Sequence, residues 1–182
     1  MVSMVRTNAS FARYRSAHQP EQSMNPDARR YQGDADQMEA GDGLAHWVDG
    51  PIEAPGLEPA DRPELLDSSD GLRLWVVTPN HVLHAAESCE FGRRRGAGAA
   101  KHSNLTGGGE AFAGGELMFL DPATIAITGS SGRYRLRAAE EMTAIERAFA
   151  ESGYNVWSMG YNQDTNRPNL FDGNTDLEWV SP

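Results

Sequence analysis

Side chains suited to proton transfer and anion binding gather between positions 101 and 134. Lys101, His102, Ser103 and Asn104 close a glycine-rich stretch, Glu116 heads an apolar run, and Ser131, Arg133 and Tyr134 follow a second one. An imidazole titrates near neutrality, so His102 suits a general acid or base. Lys101 and Arg133 suit a developing anion, and Glu116 or Tyr134 would be the second proton carrier. The expected catalytic set is therefore His102, Glu116 and Tyr134, with Lys101, Ser103, Ser131 and Arg133 binding substrate. Gly107, Gly108, Gly109, Gly114 and Gly115 would shape the wall of the pocket, since glycine permits both positive φ and close approach. Each residue also has a plain structural use: His102 as a hydrogen-bonded loop side chain, Glu116 as a strand-edge cap, Tyr134 as a plug between helix and sheet. His81 and His84, at i and i+3 in a predicted strand, leave on opposite faces and do not share a metal. No metal or resident cofactor is expected.

The elements that must position these groups begin at residue 72. Leu72 to Val77 (LRLWVV) predicts a strand stopped by Thr78-Pro79-Asn80, and Val82 to Ala86 (VLHAA) returns as its hairpin partner. The glycines of residues 91 to 115 predict a long loop without regular structure. Glu116 to Leu120 and Thr124 to Thr128 form a second hairpin around Asp121-Pro122-Ala123. From Leu136 to Ser152, Ala138, Met142, Ile145 and Phe149 recur at helical spacing, and Gly153 supplies the stop. Asn155 to Met159 adds a last strand. The expected fold class is α+β, a small antiparallel sheet of two hairpins with one packed helix, over residues 71 to 160. Residues 161 to 182 read as an irregular tail.

Residues 1 to 70 carry 13 acids against 6 bases, together with six prolines and almost no apolar period. Such a segment buries too little surface to offset its ordering entropy of ~1–2 kcal/mol per residue. It is expected to be an extended N-terminal arm, with at most a short helix near Asp36 to Trp47. Phe11, Tyr14, Tyr31 and Trp47 would be its anchors, on a partner protein or on the chain's own core.

The order and spacing of three blocks resemble a known module. LRLWVVTPNHVLHAAE, KHSNLTGGGEAFAGGELMF and TIAITGSSGRYRLRAAEEMTAIERAFAESGY together cover about half of the 182 residues. They resemble the "HSSFLxGGxxxAAGRL…SGHYxP" block of plant IQ-motif calmodulin-binding proteins, and the similar "HSxL…AGE…SGHYxP" block in C-terminal domains of bacterial polymorphic toxins and effectors. His102, Ser103, Leu105, Gly107, Gly108, Ala113, Gly115, Glu116, Ser131, Gly132 and Tyr134 fall on motif positions. Two depart: Arg133 stands where the module has His, and Leu136 where it has Pro. If the second His of the module carries a proton, two-histidine catalysis is lost here. The resemblance implies a shared fold more firmly than a shared reaction.

Composition bounds the function classes. The net charge of -10 opposes nonspecific attraction to polyanions or anionic lipid. Within it lies a basic island, residues 91 to 137, with seven bases against three acids. No apolar run has the ~18–20 residues a bilayer span needs, the N-terminus MVSMVRTNASFARYR has no secretory h-region, and the single Cys89 excludes an intrachain disulfide. The expected protein has no membrane association and is cytoplasmic, or exported without a classical signal peptide. Two function classes remain. The first is a toxin-like or effector-like enzyme on a phosphate-containing substrate, RNA or a nucleotide: either a metal-independent ribonuclease with His102 as base, or an NAD-consuming, ADP-ribosyltransferase-like enzyme with Glu116 as catalytic carboxylate and Tyr134 stacking the nicotinamide. The second is a non-enzymatic assembly protein whose arm grips partner subunits.

Overall fold

Strand residues that are apolar on both faces need cover on both faces, and the Leu74–Val77 run is wholly buried. The computed structural model describes residues 9–20, 33–53, 58–59, 61–65, 71–171 and 176–181. In chain order its elements are α1 (Ala9–Ala17), a 3₁₀ turn (Ala40–Asp42), β1 (Ala45–His46), β2 (Arg73–Val77), β3 (Val82–Ala86), α2 (Glu90–Arg94), α3 (His102–Thr106), β4 (Ala113–Asp121), β5 (Thr124–Thr128), α4 (Ala139–Glu151), β6 (Asn155–Ser158), β7 (Tyr161–Asn162), β8 (Arg167–Pro168) and β9 (Glu178–Trp179). Both predicted hairpins, β2–β3 and β4–β5, form.

The α+β class holds, but the small sheet of two hairpins is corrected to a seven-stranded mixed sheet in the order β1-β3-β2-β4-β5-β6-β9, with β7–β8 as a separate pair. The two hairpins share one sheet because β2 pairs with β4, Trp75 opposite Gly115. β6 lies parallel to β5, Ile125 opposite Val156, so β5–α4–β6 is a crossover unit rather than a hairpin extension. The glycine-rich stretch expected to be irregular contains α2, α3 and the first residues of β4. Gly107, at φ 64, closes α3 by donating its N–H to the Ser103 carbonyl, which is how a left-handed residue ends a helix.

One face of the sheet packs on α1 and α4. Glu140 and Glu141 favour the N-terminal turn of α4, and Met142, Ile145 and Phe149 meet Trp75, Ile125 and Ile127. The other face carries Leu74, Val76, Leu83 and Ala85 beneath Phe91 of α2, Leu105 of α3 and Met38. Further along, Trp157 and Ala126 are covered by Leu177 and, partly, by Trp179 and Phe171.

The expected extended arm is corrected as well. Phe11 meets Phe149 edge-on at 5.1 Å between ring centroids, and the Tyr14 hydroxyl donates to Glu141 Oε1 at 2.8 Å. Trp47 donates its indole N–H to Ser152 Oγ at 3.0 Å and stacks on Phe119. These anchors complete the chain's own core; Tyr31 lies outside the described residues. Composition misled here because three aromatic side chains, two on α1 and one more than thirty residues later, suffice to cover one helix. Among the described residues no helix is long and apolar enough to cross a membrane.

Phe11→Ala and Trp47→Ala should each cost roughly 3–5 kcal/mol, the usual loss for a buried aromatic. For a chain of this size that is a fall in Tm of roughly 6–20 °C by differential scanning calorimetry. Unchanged melting in both variants would show that Phe11 and Trp47 do not anchor the N-terminal region on the core.

Candidate functional site

β4 carries its glycines where two layers meet. A Cβ on Gly115 would lie 2.0 Å from the Thr128 carbonyl and 2.5 Å from the Trp75 ring, and one on Gly114 would lie 2.9 Å from the His102 ring and 3.2 Å from Ser131 Oγ. Gly114 and Glu116 share a face by the period of two, so His102, Ser131 and Glu116 converge on the α3 side of the sheet. There a cleft of about 160 Å³ is lined by Lys101, His102, Glu116, Ser131 and Arg133, together with Glu87, Ser130 and Gly132.

His102 opens α3, and its Nε2 lies 2.8 Å from the Gly115 carbonyl oxygen. A carbonyl only accepts, so Nε2 carries the proton and Nδ1 does not. Burial, against which the Gly115 bond acts, pushes the imidazole down to about 4, with Arg133 and Lys101 adding to the fall. His102 is thus a neutral, buried side chain at pH 7, which removes the property that made it attractive as a base.

Glu116 is the perturbed acid. Burial first, and the neighbouring Glu87 second, push its carboxyl up to about 7. Glu87 is itself raised by burial, with Lys101 opposing. Two carboxyls in one small cleft titrate as a pair that retains a proton near neutrality. Glu87 was missed by sequence reasoning, yet a signal existed: it follows β3 with the same parity as Leu83 and Ala85, whose side chains face α2 and α3.

Arg133 is held from behind. Its Nη2 lies 2.9 Å from Asp34 Oδ2, in a pair whose side chains are 17% and 2% exposed. Asp34 in turn belongs to a segment fastened by Asn104, whose Nδ2 donates to the carbonyls of Gly33 (2.9 Å), Asp34 (3.3 Å) and Asp36 (3.0 Å). Ser131 Oγ accepts from the backbone N–H groups of Arg133 (3.2 Å) and Tyr134 (3.0 Å), fixing the turn that presents the guanidinium.

Two expected site residues lie elsewhere. Tyr134 is fully buried; its hydroxyl donates to the Gly109 carbonyl at 2.6 Å and is 2.8 Å from Thr106 Oγ1, so its ring is not available to stack a ligand. Ser103, the second residue of α3, is fully buried, and its hydroxyl has no hydrogen-bond partner among the described residues. Among the described residues no group of three or more His, Cys, Asp or Glu side chains is placed to hold a metal ion.

A second, larger groove of about 1020 Å³ adjoins the cleft and shares its wall, Ser130, Ser131 and Gly132. It opens at the carboxyl ends of the parallel strands, directly after β5 and β6, where open sheets of this kind receive ligands. Reading residues 160 onward as a tail concealed it. Comparison with protein-family models, curated proteins and solved structures finds no match to this chain.

Two pH effects follow. His102 is favoured neutral, so its contribution to stability is complete above about 6.5 and is lost as pH falls toward about 4. Glu116 is favoured protonated, so the fold loses stability as pH rises from about 4.5 to about 7. Glu116→Gln should therefore raise Tm relative to wild type more at pH 8 than at pH 4.5. His102→Ala should cost roughly 2–4 kcal/mol at pH 8, since it opens a cavity and strips a buried carbonyl of its donor. Carboxyl carbon NMR of Glu116 should titrate near 7 and move down in Glu87→Gln; a midpoint in the ordinary carboxylate range would refute the coupled pair.

Proposed function

We propose that this chain is a toxin-like or effector-like enzyme that transfers a group from a phosphate-containing substrate of the NAD type, with Glu116 as its proton carrier. The single observation that carries the reading is the pair of carboxyls, Glu116 and Glu87, in the cleft where the motif residues meet.

Charge supports one of the two chemistries over the other. A ribonuclease transition state accumulates negative charge on a pentacovalent phosphate, which two carboxyls in one cleft oppose. Arg133 is paired with Asp34, and Lys101, which opposes the rise of Glu87, is the other cation lining the cleft. Breaking an N-glycosidic bond instead builds positive charge on the ribose, which flanking carboxylates stabilise. His102, neutral and bonded to the Gly115 carbonyl, also argues against the ribonuclease base. In the transfer, the bond from ribose to nicotinamide breaks and nicotinamide leaves. The incoming hydroxyl or water bonds to the ribose carbon and gives its proton to ionised Glu116. The toxin-like part of the reading is supported by the order and spacing of the His102-to-Tyr134 motif. Against the assembly alternative, three of its four proposed anchors, Phe11, Tyr14 and Trp47, are used within the chain's own core.

The test is nicotinamide release from NAD⁺, with a short single-stranded RNA as the competing substrate. Release should rise with pH through about 7, as expected for a base that must be ionised, and should fall by roughly 10²–10⁴ in Glu116→Gln. RNA cleavage that survives Glu116→Gln and is lost in a folded His102 variant would reverse the assignment.

A further inference from the structure

We infer that the large groove beside the cleft is a nucleoside diphosphate site, in which Arg135 and Arg167 hold the phosphates and the apolar floor receives the base. The inference rests on the transferase reading only for the direction in which the substrate lies; the groove's own chemistry stands apart from it.

Size is the first argument. The cleft, about 160 Å³, accommodates one small group, whereas the groove, about 1020 Å³, is at the upper end of the ~300–1,000 Å³ typical of ligand pockets. The two share the Ser130–Gly132 wall, so a substrate whose sugar enters the cleft has its remaining length in the groove.

Charge is the second. The protein is acidic overall, and Arg13, Arg93, Arg94, Arg95 and Arg133 each have a carboxylate partner. Arg135 and Arg167 both line the groove, with Asp176 as the one carboxylate among its lining residues, and among the described residues neither arginine forms an ion pair. Two exposed guanidiniums facing one concavity make a diphosphate site, because each presents a planar fork of donors that matches phosphate oxygens.

Polarity elsewhere in the groove is graded as a nucleoside requires. Leu170 is 52% exposed and lines the groove with Met159 and Pro168, giving a base an apolar surface to cover. At the rim, the turn between β7 and β8 fixes two amides. Asn162 Oδ1 accepts from the N–H groups of Asp164 and Thr165, and Asn166 Oδ1 accepts from the Tyr161 hydroxyl. Their NH₂ groups therefore remain as donors to a base or ribose. Asn166, which lines the groove, sits at φ 54, the one positive-φ residue other than glycine among the described residues.

Calorimetric titration with ADP tests the site without turnover. ADP should bind wild type and Glu116→Gln alike, and should bind Arg135→Ala/Arg167→Ala at least roughly tenfold more weakly, the loss expected when a charged hydrogen bond is removed. Both arginine side chains are exposed, and an unchanged Tm in the double variant excludes misfolding as the cause. No binding of ADP, or equal binding by the double variant, overturns the inference even if Glu116→Gln abolishes nicotinamide release. Conversely, arginine-dependent ADP binding upholds it even if NAD⁺ is not consumed. Inorganic pyrophosphate binding as tightly as ADP would remove the nucleoside part, and tighter binding of short single-stranded RNA than of ADP would replace the nucleotide with a nucleic acid strand.

Discussion

Two consecutive residues without side chains, Gly114 and Gly115, let three layers close on one another. On one face the indole of Trp75 lies flat against Gly115, and its N–H reaches the carbonyls of Glu116 and Thr128, both at 3.2 Å. On the other, His102 and Ser131 lie against Gly114. A methyl group at Gly115 would displace strand β5 or the Trp75 ring, and one at Gly114 would displace the first residue of α3. The core and the cleft are thus two consequences of one stretch of bare backbone. Glu116 is perturbed because it is the next side chain on that strand, held at the edge of this packing with little water and with Glu87 opposite.

The acidic N-terminal region serves the same centre by charge and hydrogen bonding as well as by the packing of Phe11, Tyr14, Met38 and Trp47. Asn104 secures the backbone around Asp34, and Asp34 neutralises Arg133. Without Asp34, the partly buried guanidinium would add a positive field beside Glu116 and oppose its protonation. Breaking such a pair also leaves a charge uncompensated, which is costly in a buried setting. The segment is therefore part of the electrostatics of the cleft, although it lies far from it in sequence.

What was legible in the sequence was local. The hairpins at Thr78-Pro79-Asn80 and Asp121-Pro122-Ala123 and the α4 amphipathic pattern depend on turn chemistry and periodicity within a few residues. Convergence of Lys101, His102, Glu116, Ser131 and Arg133 on one cleft was legible through their motif spacing. Three features were not. α3 is only five residues long, too short for a periodic signal, and it is stabilised by Asn104 bonding to Gly33–Asp36. The parallel pairing of β6 with β5 is a long-range choice that the apolar run NVWS does not encode. The protonation states of His102 and Glu116 depend on burial, and burial is a property of the assembled layers.

Charge is finally what separates the two concavities. A cleft that must stabilise positive charge on a reacting carbon cannot also hold phosphates closely, because each phosphate would raise the carboxyl pKa and keep Glu116 protonated when it must accept a proton. A groove that holds phosphates needs unneutralised guanidiniums, and these would suppress the perturbation of Glu116 if they stood beside it. In the proposed transfer the two demands fall on different residues. Arg133 is paired with Asp34, Lys101 lines the cleft and opposes the rise of Glu87, while Arg135 and Arg167 line the groove and not the cleft. Arg135 and Arg167 are exposed, and water and salt screen their field over a Debye length of about 8 Å at physiological ionic strength, whereas Glu116 is partly buried and is screened less.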